Sequence, residues 1–249
     1  MKNISSKQAS DKLIFALDAK SYEEASSWVE LLSGHVGMFK VGKELFTAVG
    51  PKIIRSIKKR SQKVFLDLKF HDIPNTVAGA AQAAVNLNVD MFNVHALGGS
   101  QMIKEAVSAT WSYADKLGKA RPVLLAVTVL TSLNNDDLKE IGFQKNTSEL
   151  VLHLAGLAKD AGASGVVASP QDIAMLRETF GYKFVIVTPG IRSAAETKKD
   201  DQKRTLSAYE AVKAGADYIV VGRPIRTASE PLDVCRQIVQ EIAEGLAAR

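Results

Sequence analysis

A single cysteine, Cys235, stands in the 249 residues, so a disulfide within the chain is excluded and the fold must be held by its core. The thiol lies among apolar residues in what reads as the last helix, which suits a reducing compartment and a core position rather than a nucleophile. Long apolar runs are missing too. None approaches the roughly 20 residues that cross a bilayer, and the opening MKNISSKQASDK has no hydrophobic signal core, so a cytoplasmic protein is expected. The net charge of +5 comes without a basic stripe or an aromatic stacking motif. Lys58-Lys59-Arg60 and Lys198-Lys199 are only local groups, which disfavours nucleic acid and leaves an anionic small substrate. Also absent is a Gly-x-Gly-x-x-Gly turn after the first strand, where the chain reads Leu17-Asp18-Ala19-Lys20, and this counts against an open dinucleotide-binding sheet.

What is present is regular alternation. The composition, 46% hydrophobic and 24% charged, is that of an ordinary globular chain. Eight short runs rich in β-branched and aromatic residues recur: Ile14 to Asp18, Met38 to Gly42, Val64 to Lys69, Met91 to Ala96, Leu124 to Leu130, Gly165 to Ser169, Phe184 to Pro189 and Tyr218 to Arg223. Longer stretches between them have helical spacing, such as Val77, Ala80, Ala81, Ala84 and Val85. Ser21 with Glu24, and Pro51 and Pro231, mark helix starts, while Gly162 and Gly215 mark helix ends. Strands alternating with helices call for a parallel sheet buried on both faces, and eight such units close most simply into a (β/α)₈ TIM barrel. No linker divides the chain. Residues 13–249 read as one domain, residues 1–12 as a flexible extension, and Ser132 to Lys145 as a long loop with a short helix.

In such a barrel the chemistry gathers at the carboxyl ends of the strands. The densest signal is the segment from Val64 to Thr76. Side chains two apart on a strand share a face, so Asp67 and Lys69 point together and, with Leu66 and Leu68 toward the helices, face the interior. Buried charges need partners, and Lys40 on the neighbouring strand and Asp72 just beyond are the natural ones. The bland alternative is a structural ion pair. A second signal lies in Pro189-Gly190-Ile191-Arg192 and Gly222-Arg223-Pro224-Ile225, after strands seven and eight, where glycines and arginines suit phosphate. Tight turns with surface arginines would look the same.

Together these residues resemble the orotidine 5′-phosphate decarboxylase family, over nearly the whole chain from Leu13 to the last helix. Asp67-Leu68-Lys69-Phe70-His71-Asp72-Ile73 is similar to the family's signature. Asp18, Lys40, the Leu130-Thr131-Ser132 turn, Thr188 to Arg192, Gln202 and Gly222 to Ile225 also match. The resemblance implies decarboxylation of orotidine 5′-phosphate without a cofactor or metal, with Lys69 as the proton donor to C6 and Asp67 and Lys40 holding it. It implies a homodimer in which Asp72, Ile73 and Thr76 enter the neighbouring active site, Asp72 counting among the catalytic residues. Asp18 and Lys40 would contact the ribose, and Ser169 and Gln202 the pyrimidine edge. Arg223, Gln202 and the Gly222 backbone would hold the phosphate, with Arg192 assisting or bracing a closing loop. Thr131 and Pro189 are further substrate-contacting positions. The variable segment Ser193 to Asp201 leaves Gln171 as the only other glutamine near a late strand end.

Two rivals remain. A sugar-phosphate decarboxylase of the same superfamily shares Asp-x-Lys-x-x-Asp but uses magnesium, and Lys40 stands where that ion would want a carboxylate. A non-catalytic nucleotide-binding barrel is the other. His71 is expected to face outward beside Phe70 and His95 to line the pocket floor, while His35 and His153 are read as structural and Trp28 and Trp111 as helix packing.

Overall fold

The computed structural model describes residues 4–191 and 206–249. Eight parallel strands, each beside the next and the last beside the first, close a barrel: β1 Leu13–Ala16, β2 Met38–Gly42, β3 Val64–Phe70, β4 Met91–His95, β5 Val123–Val127, β6 Gly165–Val167, β7 Val185–Thr188 and β8 Tyr218–Val221. Residue parity divides the core into two shells. Inward residues such as Ile14, Met38, Phe65, Met91, Leu125 and Val187 fill the lower barrel. Their outward neighbours, among them Phe15, Phe39, Leu66 and Phe92, pack beneath the surrounding helices. The upper interior is where this apolar filling gives way to Lys40, Asp67 and Asn93 on the same inward files.

Local signals act largely as the sequence suggests. Ser21 caps the helix Tyr22–Leu32 by accepting the Glu24 amide at 3.1 Å, but the Glu24 carboxylate turns to the amide of Lys20, not of Ser21, so only half a capping box forms. The polar loop after β5 contains the helix Asn135–Glu140, closed by a full capping box between Asn134 and Asp137. Several strands end earlier than their apolar runs. β5 stops at Val127: Thr128 still holds to β6, its amide and hydroxyl both donating to the Val167 carbonyl at 3.2 and 3.1 Å, and the chain bends at Val129. Leu130 and Thr131 are thereby turned into the barrel mouth.

Two expectations are corrected. The extension over residues 1–12 is not loose throughout: Ser6–Ser10 form a helix closed by a Ser5–Gln8 capping box, and Ala9 is fully buried where it packs against the helix Pro231–Ala247. Trp111 is not a packing residue. It lies 41% exposed on the helix Gly99–Lys116, with the Arg121 guanidinium 5.2 Å from its ring centre. Trp28 does pack, with its ring 5.6 Å from that of Phe15.

The seam between β7 and β8 is held by a buried cation. Arg177 donates to the carbonyls of Gly215 at 2.7 Å, Gly181 at 2.9 Å and Phe184 at 2.6 Å, and pairs with Asp217, which also accepts the Ile186 amide. Gly215, at φ 122°, is needed here, since a Cβ would meet the Arg177 side chain at 2.6 Å. Removing the guanidinium takes the side-chain donor from the Gly181 and Phe184 carbonyls and the buried ion-pair partner from Asp217, while Gly215 keeps Arg249 Nη2 at 3.1 Å and Asp217 keeps the Ile186 amide. Arg177→Ala is therefore expected to cost about 3–5 kcal/mol, measured by urea unfolding; a loss under about 1 kcal/mol would show that solvent replaces these bonds.

Candidate active site

The carboxyl ends of the strands surround a cavity of about 360 Å³, within the range that suits a nucleotide-sized ligand. Its floor is apolar, from Ala16, Phe65, Val127, Val167 and Val220, and its rim carries Asp18, Lys40, Asp67, Lys69 and Arg223. The charges alternate. Lys40 Nζ lies 3.7 Å from Asp18 Oδ1 and 3.1 Å from Asp67 Oδ2, and Lys69 Nζ lies 2.6 Å from Asp67 Oδ1. Asp67 is thus shared by two ammonium groups, one on each oxygen.

Burial alone would neutralise such a set, and the neighbours decide otherwise. For Asp67, burial acts to raise the pKa, but the charges of Lys40 and Lys69 and hydrogen bonds from Lys69 and Asn93 outweigh it, so the carboxyl titrates below its ordinary value. For Lys40, burial acts to lower the pKa, and Asp67 and Asp18 together carry it above the ordinary value. Both groups remain ionised at neutral pH.

The backbone that presents Lys69 is irregular. Leu66 pairs with Phe92 and Phe70 with Val94, so Asp67, Leu68 and Lys69 stand on β3 where Asn93 stands alone on β4. Lys69 has φ 52°, uncommon for a residue with a side chain. Asn93 fills the gap, accepting the Lys69 amide at 2.8 Å and donating to Asp67 Oδ1 at 2.7 Å. The sequence reading passed over Asn93. The available signal was an amide at an inward position of an otherwise apolar strand, next to the strand of Asp67.

On the opposite wall, Pro189 and Gly190 follow β7, and Gly222 and Arg223 follow β8, all of them lining the cavity. Gly190 adopts φ 80°, a conformation that favours glycine. Arg223 opens the short helix Arg223–Arg226, and Arg226 donates from Nη1 to the Asp18 carbonyl at 3.0 Å, tying the end of β8 to that of β1.

The family model for the orotidine 5′-phosphate decarboxylase / HUMPS family matches residues 11–238 of this arrangement. The chain belongs to that family. A decarboxylase of this name from Syntrophus aciditrophicus (strain SB) is 55% identical across 100% of this chain and 99% of its own. One from Citrifermentans bemidjiense is 51% identical across 96% and 98%. The crystal structure of orotidine 5′-phosphate decarboxylase from Lactobacillus acidophilus superposes with a TM-score of 0.80 at 40% identity, covering 92% of this chain and 98% of that one.

Of the positions that the family resemblance marks, Asp18, Lys40, Asp67, Lys69, Thr131, Pro189, Gly222 and Arg223 meet at this one cavity. Ser169 does not line it. It is 1% exposed and its hydroxyl accepts the Gln171 amide at 3.4 Å, while Ala168 takes the place on the wall. Asp72 does not complete the charge network within the chain: it is exposed, and its carboxylate accepts the Ile73 amide at 2.6 Å where the chain turns into the helix Pro74–Asn86. Ile73 and Thr76 are likewise exposed and away from this cavity. Arg192 and Gln202, and most of the expected closing loop from Ile191 to Lys203, lie outside the described residues.

His95 also leaves the expected place. It is not on the pocket floor but stacks on His71, ring centres 5.4 Å apart, and accepts the Leu97 amide through Nδ1 at 3.4 Å. Burial, then the positive charges of His71, Lys69 and Lys43, lower its pKa to about 4. Between pH 6.5 and about 4 the unfolded chain therefore takes up a proton that the folded chain refuses, and stability falls as the pH falls through that window. His95→Asn keeps an acceptor for Leu97 and removes the titration. From pH 7 to pH 5 it is expected to lose about 1 kcal/mol less stability than the unaltered protein, allowing for solvent screening; equal losses in urea unfolding would discard this account.

Proposed function

We propose that the chain decarboxylates orotidine 5′-phosphate to uridine monophosphate and carbon dioxide, as a step of pyrimidine nucleotide synthesis, with no metal or organic cofactor. The observation that carries this reading is the Lys40–Asp67–Lys69 chain at the mouth of a nucleotide-sized cavity that also carries Arg223. Expelling carbon dioxide from a vinylic ring carbon leaves a lone pair in the ring plane, where the π-system does not take it up. Stabilisation must then be electrostatic. An ammonium about 4 Å from a developing unit charge is worth roughly 4 kcal/mol at an effective dielectric near 20, and more as water is expelled. Lys69 fills this role and then delivers its proton to C6. Asp67 faces the substrate carboxylate as a like charge, a repulsion relieved when neutral carbon dioxide leaves.

Asp18 and Lys40 are the assigned ribose contacts, with Thr131 and Pro189 at the ring. Arg223 and the Gly222 backbone receive the phosphate, with Gln202 and Arg192, and Gln202 reads the pyrimidine amide edge. A magnesium-dependent sugar-phosphate reaction fits less well. Lys40 occupies the second-strand position beside Asp67, and among the described residues no group of three His, Cys, Asp or Glu side chains is set to hold a metal ion.

The working unit in this reading is a homodimer, in which Asp72, Ile73 and Thr76 complete the partner's site. Ile73 is 67% exposed at the start of its helix, and Leu97 is 42% exposed. Apolar side chains shown to water in this way suit a covered surface. A reducing, cytoplasmic setting accords with the lone, buried Cys235, whose thiol burial pushes up to about 11.

Lys69→Ala is expected to lower turnover of orotidine 5′-phosphate at least 10⁴-fold, on the order of the electrostatic and proton-transfer contributions combined, while uridine monophosphate still binds. Loss of absorbance on adding substrate measures the first and calorimetry the second; turnover within tenfold of the unaltered enzyme would refute the role. Arg223→Ala should lower kcat/KM for the phosphorylated substrate by about 10²-fold or more and leave that for the nucleoside lacking phosphate nearly unchanged. Equal losses on both substrates would remove Arg223 from the phosphate.

A further inference from the structure

We infer that Asn93 is a positioning residue for the decarboxylation, its side-chain amide setting both the backbone and the counter-ion of Lys69. The inference rests on the assignment of Lys69 as proton donor. It starts from the mismatch between β3 and β4. Three residues on β3 face one on β4, so the ladder has no backbone acceptor for the Lys69 amide. Asn93 Oδ1 supplies one at 2.8 Å and so holds Lys69 at φ 52°, from which its side chain reaches Asp67 rather than following the strand.

The other half of the same amide acts on the carboxylate. Asp67 Oδ1 accepts from Lys69 Nζ at 2.6 Å and from Asn93 Nδ2 at 2.7 Å, while Asp67 Oδ2 faces Lys40 at 3.1 Å. Asp67 is thereby prevented from rotating about its terminal bond, and the lysine that it aims inherits that fixity. A side-chain amide carries an acceptor and a donor on one planar end and so does both tasks at once. Asn93 is 1% exposed and is not part of the cavity wall, so its influence on the substrate passes through Asp67 and Lys69.

Two substitutions separate positioning from bulk stability. Asn93→Ala removes both bonds and is expected to lower kcat about 100-fold, with the affinity for uridine monophosphate changed less than about threefold. Asn93→Asp behaves differently with pH. Protonated, its carboxyl donates to Asp67 and accepts from the Lys69 amide as the asparagine does; ionised, it sets two carboxylates face to face and donates nothing. Its kcat relative to the unaltered enzyme should therefore rise as the pH falls, while the same ratio for Asn93→Ala stays flat. Lys69→Ala is assayed beside them. If it is inactive and Asn93→Ala keeps kcat within threefold, or the Asn93→Asp ratio is flat or rises with pH, positioning by Asn93 is overturned and the role of Lys69 stands. If Lys69→Ala itself retains turnover, both fall. Should Asn93→Ala not fold, the pH dependence of Asn93→Asp decides alone.

Discussion

Asp67 is the carboxylate on which the barrel mouth depends. Two ammonium groups inside a partly dry cylinder would repel each other and shed protons; with one carboxylate between them, each meets an opposite charge within hydrogen-bonding distance. Asp18 extends the alternation to the first strand, so that four charges from three strands form one line. The apolar layers below exclude water from beneath, which strengthens every pairing in the line. Core packing and site electrostatics are in this sense a single construction, with the boundary between them drawn by which inward positions carry charge.

Much of this was legible in the letters. Eight apolar runs separated by helical spacing close most simply into a parallel barrel once the open-sheet glycine turn is missing, and two-residue periodicity places Asp67 inward with Lys69 beside it. Strand ends were less legible, because an apolar run does not say where the ladder stops. At β5 the run continues to Leu130 while the chain has already bent at Val129. His95 and Trp111 failed for a related reason. Periodicity gives a side chain its direction, but the stacking of His95 on His71 and the exposure of Trp111 depend on what neighbouring elements leave uncovered.

The least legible feature was the backbone of Lys69. Lysine has no preference for positive φ, and nothing local announces that β3 carries more residues than β4 along the same stretch. Asn93 was visible as a polar residue in an apolar strand, yet its two bonds follow only from the register shift, a property of two strands together. Similarly, Arg177 reads in sequence as one basic residue among 32 lysines and arginines, and its office as the clasp of the β7–β8 seam emerges only when Gly215, Gly181, Phe184 and Asp217 converge on it.

The surplus on β3 is two residues, an even number. Because strand side chains alternate with period two, Phe70 rejoins the ladder facing the helices, as Leu66 does before the interruption. A single extra residue would have reversed every side chain after it, turning Phe70 into the cavity. Parity thus lets a reactive amine be lifted out of regular geometry in the middle of a wall strand while the hydrophobic layer on either side stays continuous.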